Sequence, residues 1–167
     1  MLKGKKVLVL GLAKSGRAAV ELLDAMHATI TVNEFAAKDH IDCYDEYLAR
    51  GIEMIAGGHP DELFERDFDF VVKNPGINYH KPFVLRLKER GIPVYTEIEL
   101  AYQVAQMQNY IAITGTNGKT TTVTLIDEIL KHAHHLSCLA GNVGIPYSSC
   151  VLDNDLLHCD GYDVVLE

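Results

Sequence analysis

The stretch YIAITGTNGKTT, residues 110–121, joins a short apolar run to a glycine loop that ends in Gly-Lys-Thr. An apolar strand followed by such a loop and then a helix is typical of phosphate-binding α/β domains. Glycines let backbone amides turn toward an anion, and the start of the next helix adds its positive dipole end. Only two residues separate Gly115 from Gly118, whereas the general nucleotide loop has about four between its glycines. The stretch therefore predicts a shortened phosphate loop.

A second strand–loop–helix unit, KVLVLGLAKSG, occupies residues 6–16. It keeps the outer glycines of the dinucleotide fingerprint but has Ala13 at the middle position, where glycine would let pyrophosphate approach closely. A plain βα turn is therefore an alternative to nucleotide binding here. Asn33 and Glu34, roughly 20 residues further on, could hydrogen-bond a ribose or a base, which keeps a nicotinamide dinucleotide as an alternative ligand.

Short apolar runs alternate with helical patterns along the chain. The runs are rich in Val, Ile and Leu and too continuous for half-exposed strands, so they predict buried parallel strands. They are Lys6–Leu10, Thr29–Val32, Phe68–Val72, Pro93–Tyr95, Tyr110–Thr114, Leu136–Leu139 and Asp163–Leu166. Helical spacing follows the two glycine loops, at Ala19, Leu22, Leu23 and Met26 and at Val123, Ile126, Ile129 and Leu130. This alternation predicts an α/β fold with helices on both sheet faces.

The two glycine loops predict two domains, residues 1–98 and 99–167. The first is expected to be a Rossmann-like parallel-sheet domain, and the second to be the start of a P-loop ATPase α/β domain. In open parallel sheets, ligands bind beyond the carboxyl ends of the strands, so each domain is expected to hold its own anionic ligand. Only about 50 residues follow Gly115, so we expect the second domain to be incomplete and the chain to be an N-terminal piece of a longer protein.

Composition excludes several classes of function. The net charge of −8 disfavours a nucleic-acid partner, which would need a basic surface. No apolar run approaches the roughly 20 residues that span a bilayer, so we expect no membrane role. The cysteines have no C-x-x-C spacing, which predicts reduced thiols of a cytoplasmic protein rather than a zinc site or disulfides. They are Cys43, Cys138, Cys150 and Cys159.

Two smaller motifs are ambiguous on local chemistry. KNPGI, residues 73–77, follows a predicted strand, and its Pro-Gly turn is consistent with either a plain turn or part of a binding site. His132, His134 and His135 lie at the end of a predicted helix. We expect them to meet the last helical carbonyls rather than to bind a metal, because no cysteine or carboxylate stands at ligand spacing.

Five motifs together resemble the ATP-dependent Mur ligases of peptidoglycan synthesis. They are GLAKSG at 11–16, KNPGI at 73–77, GTNGKTT at 115–121, LAGNVGIP at 139–146 and DVVLE at 163–167. The resemblance spans essentially the whole chain. GTNGKTT with GNVGIP is common to a wider ligase family that includes folylpolyglutamate synthetase, so another Mur ligase or a folylpolyglutamate-type ligase is an alternative. The first loop, the KNPGI turn and its distance to the phosphate loop favour the members that add D-glutamate.

The resemblance implies a three-domain enzyme that joins D-glutamate to UDP-N-acetylmuramoyl-L-alanine. ATP first phosphorylates the terminal alanine carboxylate, and the amine of D-glutamate then attacks the acyl phosphate. It also implies a cytoplasmic monomer that uses ATP, Mg²⁺ and small-molecule substrates. The amino-acid-binding domain of the family would lie beyond residue 167, so we do not expect this chain alone to form the amide bond.

The resemblance also assigns four groups of site residues. Lys119 is the expected catalytic residue, because a mobile cation there would stabilise charge on the transferring phosphoryl group. ATP phosphates are expected at Gly115, Thr116, Asn117, Gly118, Lys119, Thr120 and Thr121. The UDP substrate is expected at Lys14, Ser15, Gly16, Asn33, Glu34, Gly76 and Asn142, and magnesium at Thr120 and Glu167. A nicotinamide-dependent oxidoreductase and a non-catalytic P-loop switch are the competing interpretations, and neither accounts for both loops.

Overall fold

The computed structural model describes residues 2–106 and 108–167. The strands are β1 Lys6–Leu10, β2 Thr29–Glu34, β3 Glu53–Ala56, β4 Phe70–Lys73, β5 Val94–Tyr95, β6 Asn109–Ala112, β7 Ser137–Ala140 and β8 Asp163–Leu166. The α-helices are α1 Lys14–Ala25, α2 Tyr44–Ala49, α3 Pro82–Glu89, α4 Glu97–Val104, α5 Lys119–His132 and α6 Tyr147–Asp153. Short 3₁₀ turns lie at Lys38–His40 and Asp61–Glu65. No helix in the described ranges has both the length and the apolar character needed to cross a membrane.

The first sheet is parallel and has the strand order β3-β2-β1-β4-β5. The order reverses between β1 and β4, and at that point the register sets Leu10 beside Asn33 on one side and Lys73 on the other. The carboxyl ends of β1, β2 and β4 therefore meet at one edge. This topology confirms the predicted Rossmann-like α/β fold, and its reversal point is where such sheets bind ligands.

The alternation of side chains along β1 builds a core on each face of this sheet. Val7 and Val9 pack in the core that contains α1, whereas Leu8 and Leu10 pack with Phe64 and Leu87 beside α3. Val7, Leu8, Val9 and Leu10 are all fully buried. Helices and turns thus cover both faces, which explains why the strand has no polar position in its centre.

The second sheet is also parallel, with the order β6-β8-β7. Its register aligns Ala112, Leu166 and Ala140 at the carboxyl ends of the three strands. The loops that follow these strands, residues 113–118 and 141–146, and Glu167 therefore emerge at the same edge.

Helices α1, α4 and α6 pack against one another and join the cores of the two sheets. A capping box fixes the start of α4. The Glu99 carboxylate accepts the Thr96 N–H at 2.6 Å, and the Thr96 hydroxyl accepts the Glu99 N–H at 3.3 Å. The predicted boundary between residues 98 and 99 falls inside the first turn of α4.

Two details of the fold differ from the sequence prediction. Strand β3 was not expected, because as an edge strand it buries little and its apolar pattern is short: within β3 only Met54 is buried. Ile129 was expected to face the core but is 57% exposed. The buried face of α5 runs through Val123 and Asp127 instead, and Asp127 is satisfied there by the Ser137 hydroxyl at 2.7 Å.

The cysteine prediction is wrong for one pair. The structure joins Cys138 of β7 to Cys150 of α6, with Cα atoms 6.5 Å apart. That separation lies within the usual range for bridged cysteines. The pairing arises because α6 packs on β7, a contact that local cysteine spacing does not reveal. Cys43 and Cys159 are free, as expected.

Candidate functional site

The phosphate loop connects β6 to α5 and is open to solvent. Gly115 has φ +148° and Gly118 has φ +77°, conformations that favour glycine. Gly118 is the residue that precedes α5, and no side chain caps this helix. The first amides of α5 are therefore left to bind an anion. Residues 114–118, which include Thr116 and Asn117, are all exposed, so a ligand can reach the loop.

Two side chains at the start of α5 make hydrogen bonds, one to the phosphate loop and the other to the end of β8. The Lys119 ammonium donates to the Gly115 carbonyl at 2.8 Å. The Thr120 hydroxyl donates to Glu167 Oε2 at 3.0 Å, which brings the two predicted magnesium ligands together. A hydroxyl and a carboxylate are hard oxygen donors of the kind Mg²⁺ prefers, and this ion normally takes its remaining ligands from phosphate and water. The pair therefore fits the metal. Thr121, the next residue of α5, is exposed.

The first loop needs its two outer glycines but not a middle one. Gly11 has φ +87°, and a Cβ on Gly16 would lie 1.9 Å from the Gly11 carbonyl oxygen. Ala13 precedes α1 with φ −66°, an ordinary conformation for alanine. The backbone thus forms the expected tight strand-to-helix turn, and the amino end of α1 has no side-chain cap.

The KNPGI turn adjoins the first loop. The Asn74 side chain donates to the Ser15 hydroxyl at 3.3 Å and accepts the Gly76 N–H at 2.9 Å. The Lys14 ammonium, at the first residue of α1, donates to the Gly144 carbonyl at 2.9 Å, and Lys14, Ser15 and Asn74 line the same cleft. Lys14, Ser15, Gly16 and Gly76 are therefore brought together, as expected of one site.

The buried side chain of Lys73 makes hydrogen bonds to this turn, and it was not predicted as a site residue. It is 1% exposed, and its ammonium donates to the carbonyls of Asn74 at 3.1 Å and Ile77 at 2.7 Å. The ring of Tyr79 lies 4.1 Å from the ammonium. Burial lowers the pKa of Lys73, with the nearby Glu99 acting in the opposite direction. The signal in the sequence was a lysine that ends a buried apolar strand.

Asn33 and Glu34 are engaged by the protein itself. Asn33 is fully buried, its amide donates to the Gly58 carbonyl at 2.8 Å, and its oxygen lies 2.5 Å from the His59 ring nitrogen. Contact between Asn33 and a ligand would require these bonds to break. Glu34 accepts the backbone N–H of Leu12 at 2.6 Å and that of Ala36 at 3.1 Å. Glu34 thus orders the first loop, and ligand contact by either residue stays a prediction.

An aromatic cluster beside Glu34 was also missed. Phe35 is 72% exposed, and its ring centroid lies 5.7 Å from that of His59. His59 in turn lies 4.6 Å from Phe83. Burial lowers the pKa of His59, with Glu34 opposing this shift. The signal for this cluster in the sequence was an aromatic residue, Phe35, directly after the end of β2.

A cleft of about 490 Å³ separates the first loop from the end of the second sheet. It brings together predicted residues from both domains. Its walls include Lys14, Ser15, Asn74, Glu97, Asn142 and Glu167. Glu167, on the wall of the cleft, accepts the Thr120 hydroxyl and so connects the cleft to the start of α5.

The loop that holds Asn142 is packed too tightly for side chains at its glycines. Gly141 has φ +111°, and a Cβ there would lie 2.6 Å from the Glu167 carbonyl oxygen. Gly144 has φ +79°, and a Cβ there would lie 2.4 Å from the Leu139 carbonyl oxygen. Asn142 is exposed between them and faces the cleft.

Two family models match the chain. The description "Mur ligase MurD-like, N-terminal domain" matches residues 5–96, and "Mur ligase middle domain" matches residues 113–156. UDP-N-acetylmuramoylalanine--D-glutamate ligase of Streptococcus thermophilus is 50% identical over 147 residues, which are 88% of this chain and 32% of that protein. The enzyme of the same name from Streptococcus agalactiae is 48% identical over 158 residues, 93% of this chain and 35% of that protein. The chain thus spans about a third of the length of these curated relatives.

Solved structures share the fold at low sequence identity. A murein peptide ligase from Psychrobacter arcticus has a TM-score of 0.57 at 20% identity, over 98% of this chain and 37% of that one. A pseudomurein peptide ligase type C from Methanothermus fervidus has a TM-score of 0.54 at 19% identity, over 98% of this chain and 33% of that one. These structures show the shared fold, and the family models, which cover both glycine loops, show that the chain belongs to the Mur ligase family.

Proposed function

We propose that this chain is the nucleotide-handling part of an ATP-dependent ligase that adds D-glutamate to UDP-N-acetylmuramoyl-L-alanine. The observation that carries the proposal is the hydrogen bond of 3.0 Å between Thr120 and Glu167. It links the phosphate loop to a cleft whose opposite wall is the first loop, with Lys14 and Ser15. One substrate held by the first loop could therefore extend its far end toward a phosphate donor. The names of the curated relatives support the choice of substrates.

In this proposal the second domain activates a carboxylate. A carboxylate is a poor acyl donor, so ATP transfers its terminal phosphoryl group to the substrate carboxylate, and the amine of D-glutamate then displaces phosphate. Lys119 leaves the Gly115 carbonyl and pairs with the phosphate oxygens, while the amides of residues 115–121 hold the remaining charge. Magnesium held by Thr120 and Glu167 would neutralise charge on the phosphate oxygens. Asn142 would orient the substrate beside Glu167.

The first domain would bind the UDP end of the same substrate. The uncapped amino end of α1, with Lys14, Ser15 and Gly16, suits a diphosphate, and the amide of Gly76 borders the same loop. We assign the UDP-binding part to residues 1–98 and the front of the ATP-binding part to residues 99–167. The D-glutamate site would lie outside these 167 residues, and the complete enzyme would act in the cytoplasm as a monomer on small-molecule substrates.

Phe35 is expected to stack on the uracil ring. Base–aromatic stacking contributes about 1–3 kcal/mol, so Phe35→Ala in the full-length enzyme should raise the KM for the UDP substrate about tenfold. The KM for ATP should not change, because Phe35 follows β2 and not the phosphate loop. Steady-state kinetics with each substrate varied in turn would measure both values. Leu85→Ala, which removes another exposed apolar side chain of the first domain, is the control. An unchanged KM for the UDP substrate in Phe35→Ala would contradict the stacking role.

The function is tested by incubating the full-length protein with UDP-N-acetylmuramoyl-L-alanine, ATP and Mg²⁺ and supplying one amino acid at a time. We expect ADP release that depends on D-glutamate, and a product whose mass has increased by one glutamyl residue. Product formation with a different amino acid only would indicate another Mur ligase. Amide formation on a folate substrate would indicate the folylpolyglutamate type. Reduction of NAD without ADP release would support the oxidoreductase alternative.

A further inference from the structure

Glu97 is a buried carboxylate at the junction of the two sheets. It is the first residue of α4, is 4% exposed, and borders the cleft. Its Oε1 atom accepts the backbone N–H of Ser148, the second residue of α6, which lies 51 residues further along the chain. The carboxylate thus holds the start of α6 from the side of the first domain.

Keeping this carboxyl group in the interior is unfavourable. Burial raises the pKa of Glu97, while the backbone N–H and hydroxyl of Ser148 act in the opposite direction. Ser148 is itself fully buried, and its hydroxyl makes no hydrogen bond of acceptable geometry within the described part of the chain. An apolar side chain at this position would leave the buried Ser148 N–H without its acceptor, so the carboxylate serves the start of α6 and not only core packing.

The hydrogen bond to Ser148 holds the helix into which the preceding loop leads. Residues 141–146 lead directly into α6, and they carry Asn142 on the cleft side. The same loop is held at its surface by the Lys14 ammonium on the Gly144 carbonyl. Two donor–acceptor pairs, one exposed and one buried, therefore connect the first domain to this loop and to the helix that follows it.

We propose that Glu97 is a positioning residue that holds the loop of residues 141–146 in the place where a single substrate molecule contacts both this loop and the first loop. This inference rests on the proposed function, since it requires a substrate that spans the cleft. Glu97 acts through the backbone and need not touch the substrate. The ATP site should be affected less than the site of the UDP substrate, because the phosphate loop follows a different strand, β6, and meets the loop of residues 141–146 through Glu167.

The test compares Glu97→Met and Glu97→Gln in the full-length enzyme. Methionine has a similar size but accepts no backbone hydrogen bond, whereas the glutamine side-chain oxygen can still accept the Ser148 N–H. We expect Glu97→Met to raise the KM for the UDP substrate about tenfold, the effect of losing one charge-assisted hydrogen bond, and Glu97→Gln to restore it to within about twofold. The KM for ATP should change less than the KM for the UDP substrate in both variants.

Glu99→Ala is the matched control on the same helix. It removes the capping box with Thr96 and should lower the melting temperature without changing the KM for the UDP substrate. Amide hydrogen exchange gives a readout independent of activity: residues 141–150 should exchange faster in Glu97→Met than in Glu97→Gln or Glu99→Ala.

The outcomes separate this inference from the proposed function. An unchanged KM for the UDP substrate in Glu97→Met, or an equal rise in Glu99→Ala, would overturn the positioning role. Exchange rates in Glu97→Met equal to those of the unaltered protein would also overturn it, even for a protein without ligase activity. Absence of ligase activity in the unaltered full-length enzyme would instead contradict the proposed function.

Discussion

Lys119→Ala in the full-length enzyme is expected to lower kcat about a thousandfold. Removing one preorganised donor to developing charge commonly reduces turnover by roughly 10²–10³, and Lys119 carries a full positive charge into a loop otherwise made of amides. Its ammonium lies 2.8 Å from the Gly115 carbonyl, so it already reaches across the space that phosphates would occupy. Single-turnover measurement of ADP formation would isolate the chemical step from product release.

Lys131→Ala provides the matched control for this experiment. Lys131 lies on the same helix and pairs with Asp127 at 2.7 Å, on the side of the helix that faces β7. Its removal should reduce stability slightly and leave kcat unchanged. Turnover by Lys119→Ala within a few-fold of the unaltered enzyme would show that another group stabilises the transferring phosphoryl group, and the catalytic role of Lys119 would be withdrawn.

Gly16→Ala is expected to weaken binding of the UDP substrate about a hundredfold. The added Cβ would lie 1.9 Å from the Gly11 carbonyl oxygen, and a backbone atom cannot rotate away as a side chain can. The turn between β1 and α1 must open, and overpacking of this kind costs about 1–3 kcal/mol of stability. The amino end of α1 would then no longer present its amides in the geometry that a diphosphate requires.

Calorimetric titration with the UDP substrate, and separately with an ATP analogue, would measure this effect. Affinity for the ATP analogue should be retained, which would show that the second domain stays folded. Ala13→Gly is the control in the same loop, because Ala13 is exposed and has an ordinary backbone conformation. Retained affinity for the UDP substrate in Gly16→Ala would show that the diphosphate does not bind at this turn.

Features that depend on neighbouring residues in the sequence were predicted well. The apolar runs at Lys6–Leu10 and Asp163–Leu166 are the strands β1 and β8 with the same bounds, because buried parallel strands need continuous apolar sequence. The two glycine loops lie where expected, since the turn from strand to helix requires conformations that only glycine adopts easily. The same reasoning missed β3, because this edge strand buries little surface and therefore does not need a continuous apolar sequence.

Features that depend on contacts between distant segments were not predictable. Glu97 and Ser148 are 51 residues apart, and nothing in either local sequence indicates that one accepts a hydrogen bond from the other. Asn33 was expected to face a ligand because it ends a strand near a glycine loop. The strand order sets it beside β3, where Gly58 in the turn after that strand accepts a hydrogen bond from its amide, and its contact with a ligand stays a prediction. Burial of a polar residue is decided by sheet order, which one sequence does not fix.

The contact between Gly141 and the backbone of Glu167 has a thermodynamic consequence. The Gly141 backbone packs so closely on that of Glu167 that a Cβ on Gly141 would lie only 2.6 Å from the Glu167 carbonyl oxygen. The turn after β7 therefore cannot move toward β8 unless the end of β8 moves with it. Asn142 and the carboxylate of Glu167 therefore shift as one body. Under the proposed function, substrate binding would change the affinity for magnesium, and magnesium would change the affinity for substrate by the same factor. The two factors are equal because linkage between two binding equilibria is reciprocal.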